Sequence, residues 1–286
     1  MKIGIFDSGI GGLLITKAIY KKLPKYDYVY LGDTKRVPYG NRSHESIYEF
    51  TKEAVEYLFN KENCAIVILA CNTASARALR KLQKNYLPKK YPNRRILGVL
   101  IPTAEEVQSK REKGDRVGIL ATRGTVISKS YVKEIRKINK KIKVFQTPAP
   151  MLVPLIEEGE KSLIKPFLKK YLFNFIKKDI NVLVLGCTHY PILKNEIKKI
   201  LKESIEKKRK GDENKDIIKQ PKIISQDEII PSKLERYLFN HPEIEKKLSK
   251  KSRCKILVTD LTKSTEKLTK LWFKNNVKPK LIDLHS

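Results

Sequence analysis

The sequence predicts an α/β protein built as two similar halves, each a mainly parallel sheet flanked by helices. Three observations carry this expectation. Short runs rich in Ile, Val and Leu alternate with longer amphipathic stretches, the pattern of parallel strands joined by helical crossovers. Two strand-and-turn segments recur at nearly one spacing along the chain. A length of 286 residues also accommodates two ordinary domains, which most often run to roughly 100 to 150 residues each.

In chain order, Lys2 to Phe6 is an apolar run ended by Asp7 and a cluster of glycines, so it reads as a strand entering a turn. Gly12 to Lys22 follows as a helix. Tyr28 to Leu31 combines aromatic and β-branched residues and reads as the second strand. The segment Gly32-Asp33-Thr34-Lys35-Arg36-Val37-Pro38-Tyr39-Gly40 carries too much glycine and proline for a helix and is expected as a loop, a candidate clamp over a substrate. Ser43 to Asn60 returns to helical spacing. Ala65 to Ala70 is apolar throughout, as a strand covered on both faces must be, and Ala74 to Lys84 is the next helix. Strands are expected at Ile96 to Leu100, Arg116 to Leu120, Val144 to Thr147 and Val182 to Leu185, with a helix at Ile192 to Lys208. The stretch Lys207 to Pro221 is polar and charged and reads as a surface insertion. Ile223 to Ser225 and Ile256 to Val258 supply further strands.

The repeat is specific. Ile3-Gly4-Ile5-Phe6-Asp7-Ser8-Gly9 is similar to Val117-Gly118-Ile119-Leu120-Ala121-Thr122-Arg123-Gly124, an offset of 114 between Gly4 and Gly118. Ile68-Leu69-Ala70-Cys71-Asn72-Thr73 is similar to Val184-Leu185-Gly186-Cys187-Thr188-His189, an offset of 116 between the cysteines. Each half therefore sets one cysteine just after a core strand, at the carboxyl edge where open parallel sheets bind ligands.

Composition weighs against several classes of function. The net charge of +30 raises nucleic acid as a partner, but the lysines are spread over helix faces and loops, densest at Lys207 to Lys210, and lack the interleaved aromatics of a base-stacking surface. Four cysteines without a C-x-x-C pair make neither a disulfide framework nor a zinc site, and they point to a reducing cytosol. No run approaches the ~20 apolar residues of a membrane span, and the N-terminus reads as neither signal peptide nor anchor.

Among chemistry-bearing residues, Cys71 and Cys187 stand out because polar residues and a helical stretch follow each. Backbone NH groups there favour a thiolate over the thiol. Cys64 and Cys254 lack such followers and read as small buried hydrophobes. The turn Asp7-Ser8-Gly9-Ile10-Gly11-Gly12 is not a dinucleotide fingerprint, since G-x-G-x-x-G counted from Gly9 requires glycine where Leu14 stands. It suits close backbone approach to a small carboxylate, with Asp7 left for acid-base work or an ammonium contact. His189, two residues from Cys187, is placed to pair with a thiolate or move a proton. His44, His241 and His285 have no chemical company in sequence.

Taken together, Asp7-Ser8-Gly9, Pro38-Tyr39-Gly40, Ala70-Cys71-Asn72-Thr73-Ala74 and Leu185-Gly186-Cys187-Thr188-His189-Tyr190-Pro191 resemble the signature set of the glutamate racemases in the aspartate/glutamate racemase superfamily. The resemblance runs from Lys2 to about Pro191. It departs from the usual pattern at Ser225-Gln226-Asp227 and at Val258-Thr259-Asp260. It implies two α/β domains facing each other across a cleft, with residues 1–99 plus 226–286 forming the domain of Cys71 and 100–225 that of Cys187.

The resemblance further implies a cofactor-independent isomerase that interconverts L- and D-glutamate with two cysteine bases. Cys187 deprotonates L-glutamate and Cys71 deprotonates D-glutamate; Asp7 supports Cys71, while His189 with Glu157 behind it supports Cys187. Ser8, Asn72, Thr73, Thr122, Thr125 and Thr188, together with Asp7 and His189, are expected around the substrate, and Pro38, Tyr39 and Gly40 close over it. No nicotinamide, pyridoxal or metal is called for. A homodimer in the cytoplasm, supplying D-glutamate to peptidoglycan synthesis and hence to cell-wall biogenesis and cell shape, completes the expectation.

Overall fold

The structure, a computed structural model, describes all residues except 111–115, 211–218, 274–276 and 286. The chain divides into two compact units, Met1–Pro102 with Asp227–Ser286, and Thr103–Gln226.

The first unit holds a six-stranded, all-parallel sheet: β1 (Lys2–Asp7), β2 (Tyr28–Gly32), β3 (Cys64–Leu69), β4 (Arg95–Gly98), β9 (Cys254–Val258) and β10 (Pro279–Leu281), in the order β10-β9-β2-β1-β3-β4. Successive side chains of a strand point to opposite faces, so one sequence feeds two cores. Ile3, Ile5, Tyr28, Tyr30, Ile66 and Ile68 face helices Gly12–Lys22, Gln226–Asn240 and Lys263–Phe273. Phe6, Val29, Leu31, Val67 and Leu69 face helix His44–Asn60, which contributes Ala54, Val55, Leu58 and Phe59. Ser43 caps that helix by accepting from the NH of Ser46.

The second unit holds four parallel strands, β5 (Arg116–Ala121), β6 (Lys143–Pro148), β7 (Val182–Gly186) and β8 (Lys222–Ile224), in the order β6-β5-β7-β8. Leu120, Leu183 and Leu185 pack with Leu168, Leu172 and Phe175 of helix Lys161–Lys177 and with Ile197, Ile200 and Leu201 of helix Lys194–Lys210.

The order β2-β1-β3-β4 in one unit and β6-β5-β7-β8 in the other is one arrangement used twice, with β1 matching β5 and β3 matching β7. This is the repeat seen in sequence. Three expected boundaries shift for physical reasons. The helix expected from Ala74 starts at Asn72, because Cys71 itself acts as the cap. The strand expected to Leu100 ends at Gly98, and Leu100 opens helix Leu100–Lys110. The helix expected from Ile192 begins at Lys194, after a 3-10 turn over Tyr190–Leu193 that Pro191 favours. Within the expected insertion Lys207 to Pro221, residues 207–210 continue the preceding helix and 211–218 lie outside the described residues. Strand β10 was not anticipated.

Candidate active site

At the carboxyl edge of the first sheet, Phe6 pairs with Leu69 and Asp7 with Gly32, and the NH of Ala70 donates to the carbonyl of Phe6 at 2.8 Å. This register delivers Asp7, Gly32 and Cys71 to the same edge. Cys71 is nearly buried, takes an extended backbone conformation and caps helix Asn72–Arg77: its Sγ accepts from the NH of Ala74 at 3.4 Å and donates to Ser8 Oγ at 3.3 Å. A sulfur so placed serves as acceptor to the backbone and donor to a hydroxyl, so both of its protonation states have a partner. Asn72 and Thr73 follow, both almost fully buried.

The Asp7 carboxylate is held by its own turn. Oδ2 accepts from the NH of Gly12 at 3.1 Å and of Gly9 at 3.3 Å. Glycine at 12 is what permits this, since a Cβ there would lie 2.6 Å from Asp7 Cβ. A Cβ on Gly32 would lie 2.4 Å from the carbonyl oxygen of Gly9, so the turn and β2 meet backbone to backbone. The glycine cluster therefore packs a carboxylate against the first turn of a helix.

The loop after β2 forms two 3-10 turns, Thr34–Arg36 and Tyr39–Asn41. Asp33 is its hub and is fully buried. Its Oδ2 accepts from Arg36 Nε at 2.7 Å and from the Tyr39 hydroxyl, its Oδ1 accepts from Thr259 Oγ1 at 2.9 Å, and its NH donates to the carbonyl of Asp7 at 3.0 Å. Arg36 also pairs with Glu53 and lies over the Phe50 ring. Tyr39 was expected to close over substrate. Its ring sits in the core against Phe6 and Phe50, and burial first, then the Asp33 carboxylate, push its phenol well above the ordinary value. What Tyr39 can offer a ligand is therefore its backbone. Asp33 has no role in the sequence-based expectation; a lone carboxylate directly after an apolar strand, three residues before an arginine, is the signal that marks it.

In the second unit, Ala121 pairs with Gly186, which brings Thr122 and Cys187 to one edge. Thr122 caps helix Arg123–Ser128, accepting from the NH of Thr125 at 3.4 Å and donating to Thr125 Oγ1 at 3.0 Å. Cys187 and Thr188 are nearly buried. Cys187 Sγ lies 3.9 Å from His189 Nδ1, and His189 Nε2 lies 2.9 Å from Glu157 Oε1 at the end of helix Leu152–Glu158. Burial alone depresses the histidine; the hydrogen bonds to Cys187 and Glu157 outweigh it and raise His189 from 6.5 to about 10. That shift favours the imidazolium form of the ring, which lies between a sulfur and a carboxylate.

The remaining candidates separate from the site. Burial pushes the Cys64 and Cys254 thiols up to about 12, in keeping with their reading as small hydrophobes. His44 Nε2 meets the carbonyl of Arg77, His241 Nδ1 meets that of Tyr237, and His285 is exposed. Among the described residues no group of three or more His, Cys, Asp or Glu side chains is placed to hold a metal ion. No helix among them is long and apolar enough to cross a membrane.

One parallel frame used twice, each time with a cysteine just past an inner strand, is a racemase-type scaffold, and residues 11–206 match the family described as Asp/Glu/Hydantoin racemase, to which this chain belongs. Within that family the likeness is to glutamate racemases. The glutamate racemase of Sulfurihydrogenibium sp. is 44% identical over 200 residues, covering 69% of this chain and 74% of that one. A glutamate racemase isoform from Bacillus anthracis superposes with a TM-score of 0.83 at 31% identity, covering 99% of this chain and 97% of that chain. The Francisella tularensis glutamate racemase, solved with D-glutamate, gives 0.82 at 31% identity with the same coverage.

Proposed function

We propose that this protein is a glutamate racemase that exchanges the α-proton of glutamate between Cys71 and Cys187 without a cofactor. One observation carries the reading: in each unit a nearly buried cysteine stands just past the end of an inner strand, with its own proton-handling company. Cys71 has the Ala74 amide and Ser8; Cys187 has His189 backed by Glu157.

A two-base racemisation needs one thiolate and one thiol. The thiolate takes the α-proton while the thiol returns a proton to the opposite face of the carbon, after which the roles are reversed. Cys187, beside His189, is the base that meets L-glutamate, and Cys71 then donates. In the reverse direction Cys71 takes the proton from D-glutamate and Cys187 donates. Positioned acid-base groups supply about 10² to 10⁴ in rate. An α-proton beside a carboxylate is too weakly acidic for that alone, so the carbanionic transition state also needs charge stabilisation and exclusion of water. The reading assigns that work to the amides and hydroxyls of Ser8, Asn72, Thr73, Thr122, Thr125 and Thr188, with Asp7 near the ammonium and the backbone of Pro38, Tyr39 and Gly40 over the ligand. A homodimer in the cytoplasm, feeding D-glutamate to peptidoglycan, is the setting this chemistry fits.

The test is circular dichroism of the purified protein with L-glutamate in deuterated buffer without added cofactor, followed by mass analysis of the α-position. Decay of the signal to zero with deuterium incorporation is the expected result. A constant signal without exchange, from folded protein with reduced thiols, refutes the reading; L-aspartate run in parallel decides between substrates one methylene apart.

A further inference from the structure

We infer that Thr259, at the end of β9, is a positioning residue for the substrate loop, acting through Asp33. This rests on the reading that the Pro38–Gly40 turn lies against glutamate. Thr259 is nearly buried and belongs to the segment Val258-Thr259-Asp260, where the chain departs from the pattern it otherwise resembles. Its hydroxyl makes two bonds at once, donating to Asp33 Oδ1 at 2.9 Å and accepting from the NH of Lys35 at 3.0 Å. A hydroxyl has one proton to give and lone pairs to receive, so this residue satisfies a buried carboxylate oxygen and a loop amide with a single side chain.

The consequences run along the loop. With Oδ1 fixed by Thr259, the carboxylate plane of Asp33 is set, and with it the direction of Oδ2, which receives the Tyr39 hydroxyl and Arg36 Nε. Tyr39 is the first residue of the turn that is to meet the ligand, and its ring is locked between Phe6 and Phe50. The Asp33 NH in turn holds the carbonyl of Asp7, so the same residue ties the loop to the turn that carries Asp7 and Ser8. Beside Thr259, Thr34 and Asp260 exchange a second pair of bonds, Thr34 Oγ1 to the carbonyl of Asp260 at 2.7 Å and the Asp260 NH to Thr34 Oγ1 at 2.8 Å. The carboxyl end of β9 thus grips the loop at Asp33, Thr34 and Lys35, ahead of the turn that touches substrate.

The surroundings determine how loss of this grip is felt. Asp33, Lys35, Arg36 and Thr259 line a cavity of about 500 Å³ together with residues 281–285. Water entering from that side satisfies the Asp33 oxygen and the Lys35 amide once the hydroxyl is gone, so the fold survives. What is lost is the fixed direction of the carboxylate, and the cost falls on substrate binding.

The experiment measures KM and kcat in both directions for the full-length protein and for Thr259→Val, which keeps the shape and removes both bonds, and Thr259→Ser, which keeps both. Thr259→Val is expected to raise KM about tenfold with kcat within about threefold, and Thr259→Ser to stay within about twofold of wild type. Combined with Tyr39→Phe, Thr259→Val is expected to be non-additive, because both act on one carboxylate. A Thr259→Val protein with wild-type KM overturns the inference even if its melting temperature falls, as does a Thr259→Ser protein equally impaired, or additive effects in the double variant. Should Thr259→Val not fold, Thr259→Ala carries the same comparison. A wild-type protein that racemises no glutamate refutes the functional reading itself, whereas an active wild type with an unaltered variant overturns only the role of Thr259.

Discussion

Replacing Glu157 with glutamine isolates the charge behind His189 while keeping an acceptor near its Nε2. The histidine is buried, 2.9 Å from Glu157 and 3.9 Å from Cys187, and its raised value of about 10 against the ordinary 6.5 corresponds to roughly 5 kcal/mol at ~1.36 kcal/mol per pH unit. Hydrogen bonds to an ionised partner are roughly twice as strong as neutral ones, so Glu157→Gln removes about 1 to 2 kcal/mol, equivalent to about one pH unit at the histidine. The alkaline limb of kcat/KM is therefore expected to move from near pH 10 to about pH 9, leaving the rate at about pH 7 little changed and that at about pH 10 some fivefold lower. Because the enantiomers have equal free energies, kcat/KM falls equally in both directions. A folded-state value raised above the unfolded one gives stability that is full below about pH 6.5 and lost as pH rises through about 10. The melting-temperature gap between wild type and variant is accordingly largest near neutrality and closes in alkali. An alkaline limb that stays in place refutes the imidazolium assignment.

Cys71→Ala and Cys187→Ala are each expected to abolish racemisation while far-ultraviolet dichroism is retained; near-wild-type turnover in either variant would falsify the two-base assignment. Alkylation with iodoacetamide at about pH 8 is expected at Cys71 and Cys187, with D-glutamate protecting both, while Cys64 and Cys254, held protonated to about 12, stay unlabelled in peptide mass maps. Gly12→Ala drives a methyl to 2.6 Å from Asp7 Cβ and is expected to cost about 1 to 3 kcal/mol in denaturant unfolding and most of the activity; unchanged stability and turnover would show that the turn has slack.

Much of the frame was legible because parallel strands buried on both faces leave continuous apolar runs, as at Cys64–Leu69 and Val182–Gly186. The matching followers of Cys71 and Cys187 were legible for the same reason, since a residue just past such a run must emerge at the sheet edge. Other features depend on partners distant in sequence. Nothing local says that the Tyr39 phenol turns inward to Asp33, or that Thr259, 226 positions later, completes that carboxylate. Strand β10 is three residues long and gains its place only by pairing with β9, so its propensity is too weak to show. Cys71 was missed as a helix cap because that role usually falls to Ser, Thr, Asp or Asn.

The repeated frame furnishes its two thiols unequally, one with a hydroxyl and an amide, the other with an imidazolium and a carboxylate. A reaction whose two ends are mirror images is thereby run by a resting protein that is not its own mirror image. Under the proposed chemistry each turnover leaves the protein with its proton on the other side, ready for the enantiomer just formed and unready for the one just consumed. Resetting requires solvent. At saturating glutamate that return becomes a distinct kinetic event, visible as label from one enantiomer being driven against the net flow of the other.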